Sequence, residues 1–233
     1  MLSFDFSFVC GKDIYLSLIS DFRYHKKRIK HYFCTFAATE YTMTNKTTNI
    51  ALFASGNGSN AQNIVEYFQA NSSINAKLIL TNKADAFVIQ RAKDLDIPCI
   101  IFTGKELRET SKVTEALEKY KIDFIVLAGF LLRIPQSIIE KYPNQIINIH
   151  PALLPKFGGK GMYGDFVHQA VKEANEKESG ITIHYVNEHY DEGQIIFQEK
   201  VSLSESDTPD SIAEKIHALE YEFFPKIIEK VLS

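Results

Sequence analysis

The sequence predicts an α/β fold: a mostly parallel twisted sheet with helices on both faces, a C-terminal β-hairpin and a long final helix. Three observations predict it. From Asn49 onward, short runs rich in Val, Ile and Leu alternate with segments of helical periodicity. Those runs are nearly continuous in apolar residues, which marks strands covered on both faces. After residue 151 the alternation gives way to a glycine-rich loop, a helix, two neighbouring strands and a last helix.

Each element has its own justification. Ile50–Ala54 is an unbroken apolar strand, and Asn60 to Gln69 carries Ile64, Val65 and Phe68 at helical spacing. Lys77–Thr81 is the second strand. Ala84 to Leu95 follows as a helix with Phe87, Val88, Ala92 and Leu95 on one side. Pro98–Phe102 is the third strand, with Cys99 expected as a buried thiol. Ser111 to Tyr120 is a helix that Ser111 can cap. Phe124–Ala128 is the fourth and most apolar strand. Pro135 to Tyr142 is a short helix with proline near its first turn. Ile146–His150 is the fifth strand. Beyond the loop Gly158–Gly164, a helix is expected over Phe166 to Glu176, then strands over Thr182–Val186 and Gln194–Val201. The last helix runs from Asp210 to about Leu232, with a kink expected at Pro225.

Residues 1–47 read differently. Apolar pieces are broken by Asp5, Asp13 and Asp21, and a basic knot runs from His25 to Lys30. There is no uninterrupted apolar core of a secretory signal. The expectation is an N-terminal extension with no ordered fold, with Met43 as the natural start, followed by one domain over 48–233.

Composition narrows the function. A 233-residue chain that is 45% hydrophobic can bury one sizeable α/β core. A net charge of −3 provides no global field for nucleic acid or an anionic membrane. Three cysteines, at 10, 34 and 99, have neither metal nor disulfide spacing, so a reducing, cytoplasmic setting is expected. No metal site is expected.

The chemistry concentrates at strand ends. Asn148 and His150 stand two residues apart at the close of a strand, so both face one side, and Pro151 ends the ladder. An amide donor beside an imidazole suits a carbonyl oxygen that becomes an oxyanion. Ser55-Gly-Asn-Gly-Ser-Asn60 joins the first strand to its helix. Its glycines permit tight turns, the helix start offers free N–H groups to an anion, and Ser59 and Asn60 can cap or donate. With Ala61 it matches G-x-G-x-x-A. Yet Thr81-Asn82-Lys83 lacks the acid a dinucleotide ribose needs, and no Gly-Lys-Ser/Thr is present. A small phosphorylated substrate is the better reading. In the turn His189–Gly193, Asp191 can hold His150 protonated. His184 reads as a sheet-face residue and His168 as helix surface.

Together, Ser55–Asn60, Ala128-Gly-Phe130, Asn148-Ile-His-Pro-Ala-Leu-Leu-Pro155 and Asp191-Glu-Gly193 resemble the phosphoribosylglycinamide formyltransferase family over residues 48–232. That resemblance implies a Rossmann-like formyltransferase domain of purine synthesis, with 10-formyltetrahydrofolate as co-substrate and no metal. Asn148, His150 and Asp191 then match the catalytic groups, and Gly58, Ser59 and Asn60 the phosphate loop. Glu220 matches a contact to the ribose end of the substrate. Leu131, Leu132, Arg133 and Ile134 match the pterin segment. Asn187, Glu188, His189, Tyr190 and Asp191 match the folate loop, with Asn148 beside it and Arg108 toward the folate tail. Leu132 departs from the family, where an arginine is common, and Arg133 follows it. Expected partners are small molecules, with no nucleic acid or membrane, in a monomer or weak homodimer. Two alternatives stay open. One is another formyl-tetrahydrofolate enzyme (a deformylase, or a transferase to a different amine), which is expected to carry a further domain. The other is a non-catalytic nucleotide-binding module, which would leave Asn148, His150 and Asp191 without a role.

Overall fold

The first strand, β1 (Thr48–Phe53), lies inside a seven-stranded sheet, third from one edge, and its side chains divide the core in two. Ile50 and Leu52 face one layer, Ala51 and Phe53 the other, as the two-residue period of a strand requires. The computed structural model describes residues 47–71 and 73–233. The extension expected over 1–47 therefore lies outside the described residues, save Thr47.

The remaining elements are α1 (Ser59–Phe68), β2 (Ile74–Thr81), α2 (Val88–Asp94), β3 (Cys99–Ile101), α3 (Gly104–Glu109), α4 (Lys112–Lys119) and β4 (Phe124–Leu127). Then come α5 (Gln136–Lys141), β5 (Ile146–His150), α6 (Asp165–Glu173), β6 (Glu178–Tyr185), β7 (Ile195–Ser202) and α7 (Pro209–Leu232). The sheet order is β3-β2-β1-β4-β5-β6-β7. Strands β1 to β5 pair parallel, while β6 and β7 add antiparallel, so the expected hairpin extends the main sheet. One apolar layer is closed by α1, α2, α6 and α7, through Ile64, Val88, Val167 and Ile216. The other is closed by α3, α4 and α5, through Leu107, Leu117 and Ile138. Each fully buried Leu or Ile contributes about 1.5–3 kcal/mol.

Several local expectations are corrected. Helix α3 was not foreseen; Thr103 and Glu106 form a reciprocal capping box at its start. Helix α2 begins at Val88, four residues later than the periodicity suggested, because Val88 docks on the glycine loop: its N–H donates to the Gly56 carbonyl. Ser111 does not cap α4; its hydroxyl donates to Glu115 instead. Helix α7 continues as one helix through the buried Pro225. Cys99 is half-buried, since β3 is an edge strand, and burial raises its thiol pKa.

The topology fixes where a ligand can go. The chain runs outward from β1 through β2 to β3, then returns to β4 on the opposite side of β1. In open parallel sheets the crevice beyond the carboxyl ends of such diverging strands is the binding site. Residues 54–58 and 128–131 border it. Phe130 is anchored there by its ring against Phe53, with centroids 5.2 Å apart.

Candidate active site

A cavity of about 480 Å³ opens at that crevice. Its walls come from residues 56–60, 128–131, 148–151 and 159–164, with His168, Tyr190, Asp191, His217 and Glu220. Six separate stretches of the sequence thus converge at one place. A smaller adjoining cleft of about 60 Å³ shares Phe130, Asn148, Tyr190 and Asp191 with it. Leu132, Arg133, Ile134, Asn187 and His189 line that second cleft. Arg108 and Glu188 line neither. Arg108 is exposed on α3, on the side of Gly104 and Leu132.

The loop after β1 is held from three sides. Ser55, 1% exposed, donates its hydroxyl to Asn82 Oδ1 at 2.5 Å and accepts from the Leu131 N–H at 3.0 Å. The Leu131 N–H is therefore already engaged within the protein. Arg91 donates from Nε to the Asn57 carbonyl and from Nη2 to Asn57 Oδ1, and from Nη1 to Gln62. Gly58 sits at φ 76°, and a Cβ there would lie 2.3 Å from Val88 Cγ2. Left-handed geometry and close packing both demand glycine. Gly58→Ala is expected to cost at least about 1–2 kcal/mol from backbone conformation alone, and to lower the thermal midpoint by about 2–8 °C. A calorimetric scan that shows no shift would contradict this reading of the loop.

Gly58 is also the N-cap of α1, without a side-chain cap. Ser59 and Asn60 lie inside the helix, so neither caps it. The first-turn N–H groups are left for an anion, and no acidic residue occupies that turn. Asn60 donates from Nδ2 to Glu220 Oε2 at 2.8 Å, and His217 Nδ1 meets the same oxygen at 2.9 Å. The hydrogen bond to Glu220 raises the His217 pKa, more than offsetting burial. Among the described residues, Lys160 is the one lysine or arginine on the cavity wall.

At the end of β5, Asn148 and His150 face the cavity together, as their spacing predicted. His150 is 3% exposed. Its Nε2 lies 2.7 Å from the Phe157 carbonyl, which can only accept, so Nε2 carries the proton. Its Nδ1 faces Asp191 Oδ2 at 3.7 Å. Two residues with positive φ, Phe157 at 55° and Asp191 at 57°, bring these partners to the ring. A bulky residue in that region is strained and persists only where surroundings hold it. Asp191 Oδ2 also accepts from the Gly159 N–H at 2.9 Å.

Burial pushes the His150 pKa down, and the nearby Asp191 carboxylate recovers only part of the shift. Burial thus works against the cationic His150 expected from the Asp191 carboxylate alone. Burial alone would raise Asp191, but His184, His150 and the Gly159 N–H outweigh it and hold the carboxyl below its ordinary range. It follows that His150 titrates below the ordinary histidine value. Replacing Asp191 with Asn removes a raising influence and should lower the value further. NMR titration of the imidazole ring reads both; a wild-type pKa above the ordinary value would refute the assignment.

His184 was missed. It is 2% exposed and pairs with Asn148 across β5 and β6. Its Nδ1 meets the Tyr185 carbonyl at 2.8 Å, so that nitrogen carries the proton. Nε2 is then free to accept from Asn148 Nδ2 at 3.1 Å, a better contact than the 3.6 Å to Asp191 Oδ1. This leaves the second amide hydrogen of Asn148 for a ligand. His168 is corrected from helix surface to core: it is 2% exposed and lines the cavity. Among the described residues, no cluster of three or more His, Cys, Asp or Glu has the arrangement to hold a metal, and no helix is long and apolar enough to cross a membrane.

A mostly parallel sheet whose switch point sets open first-turn N–H groups beside an amide, an imidazole and a carboxylate is the arrangement of an α/β protein that can bind a small anionic ligand next to polar and titratable groups. The family model described as "Formyl transferase" matches residues 48–228, and the chain belongs to that family.

Its relatives narrow the class. The chain is 38% identical over 187 residues to phosphoribosylglycinamide formyltransferase of Bacillus subtilis, covering 78% of this chain and 93% of that one. It is 41% identical over 187 residues to the chloroplastic enzyme of that name from Arabidopsis thaliana, covering 77% of this chain. The match spans 63% of the Arabidopsis relative and 62% of the one from Vigna unguiculata, less than two thirds of either. The solved structure of the phosphoribosylglycinamide formyltransferase from Streptococcus pneumoniae superposes with a TM-score of 0.71 at 33% identity, over 80% of this chain and all of that one. That from Anaplasma phagocytophilum gives 0.74 at 30% identity, over 80% and 87%.

Proposed function

We propose that this chain transfers the formyl group of 10-formyltetrahydrofolate to the amine of 5-phosphoribosylglycinamide, with residues 48–233 as the catalytic domain. One observation carries the reading. Asn148 and Asp191 line both the cradle-bearing cavity and the smaller cleft, and His150, on the cavity side, lies 3.7 Å from Asp191. A phosphorylated amine held in the first and a folate in the second would present their reacting atoms to these three groups.

In this mechanism the amine attacks the formyl carbon and a tetrahedral oxyanion forms. The free amide hydrogen of Asn148 donates to that oxygen. His150, whose basicity burial sets against the Asp191 carboxylate, accepts the proton released by the attacking nitrogen, directly or through a water held by Asp191. The resulting imidazolium lies beside the Asp191 carboxylate. That charge pair exists only once the reaction is under way, so the interaction favours the transition state over the bound substrates. The imidazolium then returns the proton to N10 of the folate as the C–N bond breaks. The N–H groups at the start of α1, with Lys160, would hold the phosphate. Leu132 to Ile134 and Asn187 to Tyr190 would border the pterin, and Arg108 would reach only the outer end of the folate.

The test is a turnover assay of the purified chain with both substrates. Tetrahydrofolate should appear only when the glycinamide substrate is present, in equal amount to the formylated product. Formate release without the amine would support the deformylase reading instead, and no turnover would overturn catalysis altogether.

A further inference from the structure

The turn that leads into α1 has glycine at 56 and 58, on either side of Asn57. Glycine loses more conformational freedom on folding than any other residue, so such a turn keeps one shape only where its neighbours hold it. A turn left for its ligand to order would lose affinity to that ordering. Among the described residues, Arg91 of α2 supplies every hydrogen bond that Asn57 accepts.

The guanidinium uses all of its nitrogens. Nε donates to the Asn57 carbonyl at 2.9 Å, Nη2 to Asn57 Oδ1 at 2.6 Å, and Nη1 to Gln62 of α1. Its carbon lies 5.0 Å from the centroid of the Phe87 ring, which supports it from one face. One planar group thereby joins residue 57, before the helix, to residue 62, inside it. The stretch between them is the start of α1, and the Gln62 N–H closes it by donating to the Gly58 carbonyl at 2.9 Å. Arg91 itself lies off the wall of the main cavity; with Ser59 and Gln62 it borders a separate outer recess. It therefore acts on a ligand through the turn and not by touching it. A rigid fork can span a carbonyl, an amide and a neighbouring helix together, whereas a lysine ammonium is a point charge on a flexible stem.

We propose that Arg91 is a positioning residue for the anion site: it fixes the Asn57–Gly58 turn so that the N–H groups at the start of α1 converge on a phosphate before one arrives. The proposal rests on the proposed function only in taking those N–H groups as the phosphate site.

Calorimetric binding of ribose 5-phosphate to the full chain reads the anion site without formyl transfer. Arg91→Ala should weaken that binding about tenfold, the scale of one hydrogen bond to a charged group. Arg91→Lys keeps the charge and loses the fork. It should recover only part of the affinity, and it serves if the Ala variant does not fold. In turnover, both variants should raise KM for the phosphorylated amine while kcat and the KM for the folate stay within about twofold of wild type. The smaller cleft, where the folate is placed, is lined by neither Asn57 nor Gln62. Unchanged sugar-phosphate binding by Arg91→Ala would overturn the proposal. So would wild-type affinity in Arg91→Lys, which would assign the effect to charge alone. A fall in kcat with both KM values raised would also overturn it, since a merely structural role predicts that pattern. Wild-type protein that binds no ribose 5-phosphate would overturn it together with the phosphate site. Absence of formylated product, with the variants still losing sugar-phosphate affinity, would instead fault the reaction and leave the positioning role standing.

Discussion

Asn148→Ala should reduce kcat by two to three orders of magnitude, about 3–4 kcal/mol of barrier, the usual loss when one donor to a developing oxyanion is removed. Half of the Asn148 amide is already committed to His184 Nε2 at 3.1 Å, so its remaining hydrogen has a fixed direction. That preorganisation makes a single amide valuable: its orientation is set before charge develops. Substrate affinity should change little, because the ground-state formyl oxygen carries little charge. Asn148→Asp keeps the shape, supplies no donor and adds a negative charge, so it should be at least as damaging. Equilibrium binding of both substrates beside single-turnover rates would separate the two contributions. An Ala variant with near-normal kcat would refute the role.

His150→Ala should cost about two to four orders of magnitude in kcat, the range for a positioned acid–base group. The substitution also leaves the Phe157 carbonyl without its 2.7 Å partner and Asp191 without the ring 3.7 Å away. Part of the effect could then come from a shifted 157–159 loop. The thermal midpoint separates these causes: a stability change with retained turnover would mean that His150 is a structural histidine. Loss of turnover with an unchanged midpoint is the expected outcome.

The strand-end pair was legible because its geometry is local. Two residues apart on any strand means one face, whatever surrounds it, and Pro151 marks the end. His184 was not legible, because its place beside Asn148 is set by the register of β6 against β5, which no local spacing encodes. His168 did carry a signal that went unused. It lies three residues before Val171, on the same stripe of α6, and the packing of α7 buries that stripe. The lowering of the His150 pKa was not legible, because a carboxylate neighbour is visible in sequence whereas desolvation is not. Helix α3 contains one buried apolar residue, Leu107, so periodicity could not reveal it, although Thr103-Gly-Lys-Glu106 spells its cap. The parallel order of β1 to β5 followed from continuous apolar runs. The antiparallel addition of β6 and β7 to the same sheet did not, because β7 is an edge strand whose faces are only partly covered.

A crystal structure with 5-phosphoribosylglycinamide and a non-transferable analogue of 10-formyltetrahydrofolate tests the central claim most directly. The phosphate should lie at the first-turn N–H groups of α1. The amine and the formyl-equivalent carbon should meet at Asn148 and His150, with Asn148 Nδ2 within about 3.2 Å of the oxygen, or one water away from it. A phosphate bound elsewhere, or a formyl position out of reach of both Asn148 and His150, would contradict it.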